Sequence, residues 1–159
     1  TNLKISKKQN FIEYSPLGLK YLTDILKSIK ENKGGLLIID YGYVAAKMKD
    51  TLQAIYKQKY SKVLKNIGKS DITHNINFYF FKKIAKNFQE LDVNLTSQKN
   101  FLINLGIQQR AEIIGKNKTF TEKADIFYRL KRLINKKEMG DLFKVMLIKN
   151  SNNNSQIGF

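Results

Sequence analysis

A helix signature that runs without a linker into a buried-looking strand constrains this chain most. Ser15 suits a helix N-cap and Pro16 the first helical position. Leu22, Ile25, Leu26 and Ile29 then recur at the i, i+3, i+4, i+7 spacing of a helix burying one stripe. Gly34 and Gly35 are placed to stop that helix. Residues 36–39 follow at once, apolar and without alternation, as in a parallel-sheet strand covered on both faces. Helix then buried strand is half of an α/β crossover. The strand ends on Asp40, Tyr41 and Gly42. Ligands of open α/β sheets gather outside the carboxyl ends of strands. An acid for a polar or cationic group, an aromatic wall and a glycine permitting close backbone approach make that end a candidate site. The same residues also read as a turn cap beside a packing ring.

Downstream, residues 44–70 are ambiguous, and the segment 50–64 fits helix or strand. Residues 75–88 carry aromatics with Ile84, Ala85 and Phe88 and predict a packed helix. Leu91, Val93 and Leu95 alternate with Asp92 and Asn94, which predicts a half-exposed, edge-like strand. Thr96 or Ser97 can cap a short helix holding Phe101, Leu102 and Leu105 and ended by Gly106, and another helix follows at about 107–114. Thr119 and Glu122 have capping-box spacing. They open a helix with Ile126, Phe127, Leu130, Leu133 and Ile134 on one side. Residues 141–148 read as the last strand, and the polar segment 150–159 as a disordered tail.

Composition excludes some chemistry. The absence of cysteine removes disulfides and thiolate metal sites, and the single His74 cannot build a histidine zinc centre alone. No apolar run approaches the ~20 residues of a membrane span. At 159 residues the chain is about one domain long. It begins on Thr1 with no leader-like pattern, which reads as a piece of a longer chain. The formal charge of +16 suggests phosphate binding, yet 26 of the 29 basic residues are lysine, beside 19 Ile and 16 Asn. Those residues share A/T-rich codons. Arginine, whose fork suits nucleic-acid readout, is scarce. Scattered lysines therefore read as a solvated surface with no specific nucleic-acid partner. The rival is a non-catalytic basic module for RNA or a protein partner, or an inactive remnant; its mark would be lysines gathered on one face.

Several segments in order carry a resemblance: "IEYSP" (12–16), "GGLLIIDYGY" (34–43), "DTLQA" (50–54), "GKSDIT" (68–73) with Asn77 and Phe78, "TSQKNFLINLGIQQRAEI" (96–113) and "RLKRLINKKEMGDLFKVMLI" (129–148). Together they resemble the MidA family of S-adenosylmethionine-dependent methyltransferases, over nearly all of residues 12–148. That family includes a mitochondrial arginine methyltransferase that assists assembly of respiratory complex I. The resemblance implies an α/β, Rossmann-like class I sheet, with residues 35–40 as its fifth strand, 91–95 as its sixth and 142–148 as an antiparallel strand between them. It also implies that residues 1–149 form the C-terminal portion of the domain. The family's glycine-rich loop, its ribose-binding acid and its Asn-Glu-Leu-like motif have no counterpart here, and Gly34–Gly35 precede their strand instead of following it. S-adenosylmethionine is thus expected to serve the complete enzyme and not to bind this chain alone, and the implied partners are a protein substrate and a separately encoded N-terminal half. The implied compartment is the bacterial cytoplasm or, in a eukaryote, the mitochondrial matrix.

Where the family reads D-[IL]-T-A-H-V-D-F, this chain has Asp71, Ile72, Thr73, His74, Asn75, Ile76, Asn77 and Phe78. Asp40, Tyr41, Gly42, Asp71 and Thr73 match, and the resemblance places them on the substrate side. No catalytic residue is assigned. Asn75 and Asn77 replace an imidazole and a carboxylate, Gln58 replaces a second histidine, and His74 lies one residue early. The implied reaction is methylation of a protein nitrogen, with carboxylates orienting a guanidinium.

Overall fold

The structure, a computed structural model, describes residues 10–159. Helix α1 (Pro16–Asn32) starts where the sequence places it: the Ser15 hydroxyl accepts from the Gly18 amide at 3.0 Å. It stops on Lys33, held in the left-handed region at φ 55, one residue before the expected glycines. Strand β1 (Gly35–Tyr43) follows directly.

The ambiguous region 44–70 holds two short strands set in loop and turn. β2 (Gln53–Tyr56), β3 (Lys59–Ser61) and β4 (Asp71–Thr73) form a small antiparallel sheet in the order β3-β2-β4. Lys57 and Gln58 make the turn between β2 and β3 with φ of 50 and 63. Next come β5 (Ile76–Asn77), α2 (Phe78–Ala85) and β6 (Leu91–Ser97). They are followed by α3 (Gln98–Asn104), α4 (Ile107–Gly115), α5 (Phe120–Ile134), α6 (Met139–Leu142) and β7 (Phe143–Asn150). Ser97, not Thr96, caps α3, and the Thr119–Glu122 capping box forms on both sides.

The main sheet runs β5-β1-β7-β6. β7 lies antiparallel between β1 and β6, the arrangement the resemblance implies, and β6 is an edge strand. Register places Ile38 and Leu95 beside Met146, and Leu36 and Val93 beside Ile148. These side chains share one face with Leu22, Leu26 and Ile29 of α1 and with Phe78, Phe80, Ile84 and Ala85 of α2, and this is the core.

The reverse face corrects the reading of β1 as a strand covered on both sides. Leu37 is 46% exposed and Ile39 48%. α3 packs against β6 and β7 and α6 against β1, β6 and β7; Val145 is buried, while Leu37 and Ile39 stay partly bare. An unbroken apolar run shows which residues can be covered, not whether a covering element is at hand. The edge of β1 away from β7 is also open: β5 pairs only with Gly42 and Tyr43, so residues 35–41 have no strand on that side among the described residues.

Helix α5 packs against α3, α4 and α6, yet none of its residues is fully buried, and Phe127 remains 49% exposed. The segment read as a disordered tail is tied down instead. The Asn150 amide donates to Gly34 O at 3.1 Å and Ser151 N to Glu90 O at 2.9 Å. Phe159 meets Phe101 edge-on at 5.4 Å, and Asn104 Nδ2 donates to Gly158 O at 3.3 Å. Composition argued only about apolar mass and missed that carbonyls of these turns satisfy buried donors. One is the ammonium of Lys149, which donates to Asn153 O beside Asp92.

Candidate functional site

Each predicted site residue has a defined place. Asp40 is half-buried, and its Oδ1 accepts from the Tyr41 amide at 2.8 Å. Its cross-strand neighbour is Lys144, whose ammonium donates to Asp141 O. Burial lowers the Lys144 pKa below that of an ordinary lysine, opposed by the charge of Asp141. Tyr41 stands edge-on to Phe143 at 5.6 Å, so its ring packs within the sheet.

Gly42 is needed for a different reason from the one its position suggests. A Cβ there would lie 2.2 Å from the Ile76 carbonyl oxygen and 2.8 Å from the Phe78 ring. The close backbone approach is made by β5, not by a ligand. Thr73 accepts from Gln53 Nε2 at 3.0 Å inside the small sheet, and Asp71 is exposed on the same strand. Asp40 and Asp71 therefore belong to different sheets. Gln58 sits at the exposed tip of the β2–β3 hairpin, and His74 is exposed with Nδ1 3.4 Å from Asn75 O.

The structure gathers other residues that the sequence reading left without a role. A cavity of about 50 Å³ is lined by Glu13 and Tyr14 from the entry to α1, His74, Asn75 and Asn77 from around β5, and Phe80 from α2. Glu13 Oε2 accepts from Thr51 Oγ1 at 2.6 Å, and Thr51 Oγ1 accepts from Asn75 N at 2.9 Å. Segments separated by up to 38 residues thus meet through one hydroxyl. Asn77 Oδ1 caps α2 by accepting from Phe80 N at 3.2 Å. Glu13 Oε1 and Asn77 Nδ2 are buried and have no hydrogen-bond partner among the described residues. The substitution that looked like a lost carboxylate, Asn77, is in place a helix cap with a spare donor. The Ser15-Pro16 cap signal marked where Glu13 lies in the sequence, but not that it turns inward.

A larger groove of about 740 Å³ runs along α5, lined by Lys99, Lys131, Lys136 and Lys137 with Phe127, Leu130 and Ile134. Lys131, Lys136 and Lys137 are close in sequence, and folding brings Lys99 beside them. Among the described residues no group of three or more His, Cys, Asp or Glu side chains could hold a metal ion. No helix there is long and apolar enough to cross a membrane.

A family described as "Putative S-adenosyl-L-methionine-dependent methyltransferase" matches residues 1–96, more than half of the chain. The chain belongs to this MidA-type methyltransferase family. Similar curated proteins include the mitochondrial protein arginine methyltransferase NDUFAF7 of Danio rerio, 28% identical over 77% of this chain and 29% of its own length. NDUFAF7 of Xenopus tropicalis is 25% identical over 91% of this chain and 33% of its own length. A superfamily member from Burkholderia thailandensis, solved bound to S-adenosyl-homocysteine, superposes with TM-score 0.71 at 21% identity, covering 89% of this chain and 38% of that one. A second structure from that organism reaches TM-score 0.79 at 21% identity, over 92% of this chain and 40% of the other. The fold is thus that of the MidA-type class I methyltransferases, and the chain spans about a third of the length of the curated relatives it matches.

The described residues do not fit the MidA family's cofactor. A nucleoside cofactor needs a glycine cradle after a strand. Here the space beside Gly42, within β1, is filled by Ile76 and Phe78, and Gly35 opens its strand.

Proposed function

We propose that this chain supplies the C-terminal, acceptor-side portion of a MidA-type S-adenosylmethionine-dependent protein arginine methyltransferase. The observation that carries the reading is the open edge of β1 over residues 35–41, beside the half-bare Leu37 and Ile39. An exposed, apolar strand edge is a template for another strand, and in this family the strands bearing the cofactor would add there. The share of each relative that the chain covers supports the same division. In the assembled enzyme Asp40 and Asp71 hold the acceptor guanidinium from two sheets, with Tyr41 and Thr73 shaping the wall and Gly42 letting β5 close against β1. An acceptor in respiratory complex I assembly, in the mitochondrial matrix, is the finer form of this reading and rests on the resemblance.

Calorimetry with S-adenosylmethionine tests it, on the chain alone and mixed with the N-terminal portion of a related full-length enzyme. Binding in the mixture only is expected. Tight binding by the chain alone would show the cofactor site to be misplaced, and no binding in either would remove the split-enzyme reading. In an active mixture, Asp40→Asn should lower the rate or weaken the acceptor; unchanged kinetics would remove Asp40 from the site.

The lysine-lined groove favours one rival, a basic binding module. Its test is RNA affinity as salt rises: several phosphate contacts would give a steep linear fall of log affinity with log salt, and a flat response rejects it.

A further inference from the structure

We infer that the groove along α5 docks an acidic, amphipathic helical segment of a partner protein. The inference goes beyond the methyltransferase reading and does not rest on it: none of Asp40, Tyr41, Gly42, Asp71 and Thr73 lines the groove.

Hydrogen bonds fix the walls. Gln98, only 8% exposed, donates from Nε2 to the Leu133 carbonyl at 2.9 Å and so clamps the start of α3 against the end of α5. Asn135 Oδ1 accepts from Lys137 N at 2.8 Å, and the Asn135 carbonyl accepts from Glu138 N and Gly140 N at 3.1 and 2.9 Å. The turn carrying Lys136 and Lys137 is thereby held. Phe127, Leu130 and Ile134, at the i, i+3, i+7 spacing, lay an apolar stripe of about two turns along the floor.

Charge decides what fits. Lys99, Lys131, Lys136 and Lys137 border that stripe, and among the described residues no carboxylate pairs with any of them. Two acids of α5 are already engaged: Glu122 with Lys118 at 3.1 Å and Asp125 with Arg129 at 2.9 Å. Lys131 suits the carboxyl end of α5, where a helix favours a cation, but Lys99 stands in the first turn of α3, the end that disfavours one. Four ammonium groups around one apolar floor repel each other until an anion enters. A helix carrying Asp and Glu beside apolar anchors supplies both halves of the match. RNA fits less well: among the described residues no arginine lines the groove and Phe127 is its single aromatic ring, so bases find little to stack on. A second copy of this chain, with 29 basic residues against 13 acidic, carries the wrong charge. The helices of the groove follow β6, so strands added beside β1 join at the opposite edge of the sheet.

The test is an NMR titration of the isotope-labelled full chain with a blocked helical peptide of about three turns, with leucine at i, i+3 and i+7 and glutamate on the flanking positions. The controls are the same peptide with glutamine for glutamate, and an oligouridylate of similar length. Saturable shifts are expected at Lys99, Phe127, Leu130, Ile134 and Lys137 with the acidic peptide. The glutamine peptide should bind about tenfold more weakly, and the acidic peptide should lose affinity as salt rises. Phe127→Ala should weaken the acidic peptide roughly tenfold by removing the aromatic anchor. Lys136→Gln combined with Lys137→Gln, both at exposed positions, should weaken it about threefold and flatten the salt dependence. The inference is overturned if the acidic peptide gives no saturable shift in the groove, or if the glutamine peptide binds equally. Unchanged affinity in either variant, shown to be folded, overturns it too. Groove shifts that grow with protein concentration alone would assign the face to a second copy, and oligouridylate that displaces the peptide would assign it to RNA; both reject the inference.

Discussion

The two sheets of this protein are held in different ways. β7 keeps seven register pairs with β1 and seven with β6, and both faces of its centre are closed: Met146 is buried on one side and Val145 on the other. The small sheet has three pairs on each side of β2, one fully buried side chain, Ala54, and a fringe of apolar residues in solvent, with Tyr60 80% exposed. The main sheet stands on its own core. The small one depends on its attachments: the Thr51 hydroxyl, the Glu13 carboxylate and the short pairing of β5 with β1. The segments that line the Glu13 cavity therefore lie at the junction of a rigid body and a weakly anchored one. Local opening draws on such low-stability elements.

The contrast can be broken most sharply at Met146. Met146→Ala should cost about 2–5 kcal/mol in chemical denaturation, while Tyr60→Ala should change the midpoint hardly at all. Equal losses would mean that the small sheet carries stability its burial does not show. Gly42→Ala comes next. Its methyl meets the Ile76 carbonyl, so β5 must move, with an expected loss of about 1–3 kcal/mol. Amide exchange should show the loosening concentrated in residues 71–77, and a uniform effect would argue against a hinge there. Thr51→Val leaves the Asn75 amide and Glu13 Oε2 unpaired, worth roughly 1 kcal/mol. It should speed exchange in the small sheet and leave β7 protected.

The smallest effect lies outside both sheets and sets a baseline. The Thr119 amide, Lys118 and the Thr119 hydroxyl lower the Glu122 pKa from 4.5 to about 2. Because the folded value lies below the unfolded one, the stabilisation is full above pH 4.5 and fades as pH falls through about 2. Melting curves of wild type and Glu122→Gln should differ slightly at pH 6 and converge near pH 2. A gap that widened in acid would contradict the capping geometry.

How much of this was legible depends on the range of the interaction. Local signals held: the Ser15 cap, the α1 stripe, the capping box at Thr119 and the alternation of β6 are all set within a few residues. Region 44–70 was ambiguous because its strands pair with little buried on either side, so no hydrophobic period marks them. Coverage of Leu37 and Ile39 depends on elements that their own sequence does not encode. The candidate site was less legible. Asp40 and Tyr41 lie within β1, paired with Lys144 and Phe143, and not beyond its carboxyl end; Gly42 serves chain packing, and the gathering of Glu13, Thr51 and Asn77 is a tertiary event. An orphaned oxygen has no sequence signature at all.

The open edge of β1 has a consequence for handling the protein in solution. An edge left open among the described residues is a template for a second copy, and a net charge of +16 opposes that approach. That repulsion reaches about 10 Å at 0.1 M salt and only ~3 Å at 1 M. Colloidal stability should therefore fall as salt rises, with turbidity growing with protein concentration, and a short peptide strand that occupies β1 should restore clarity.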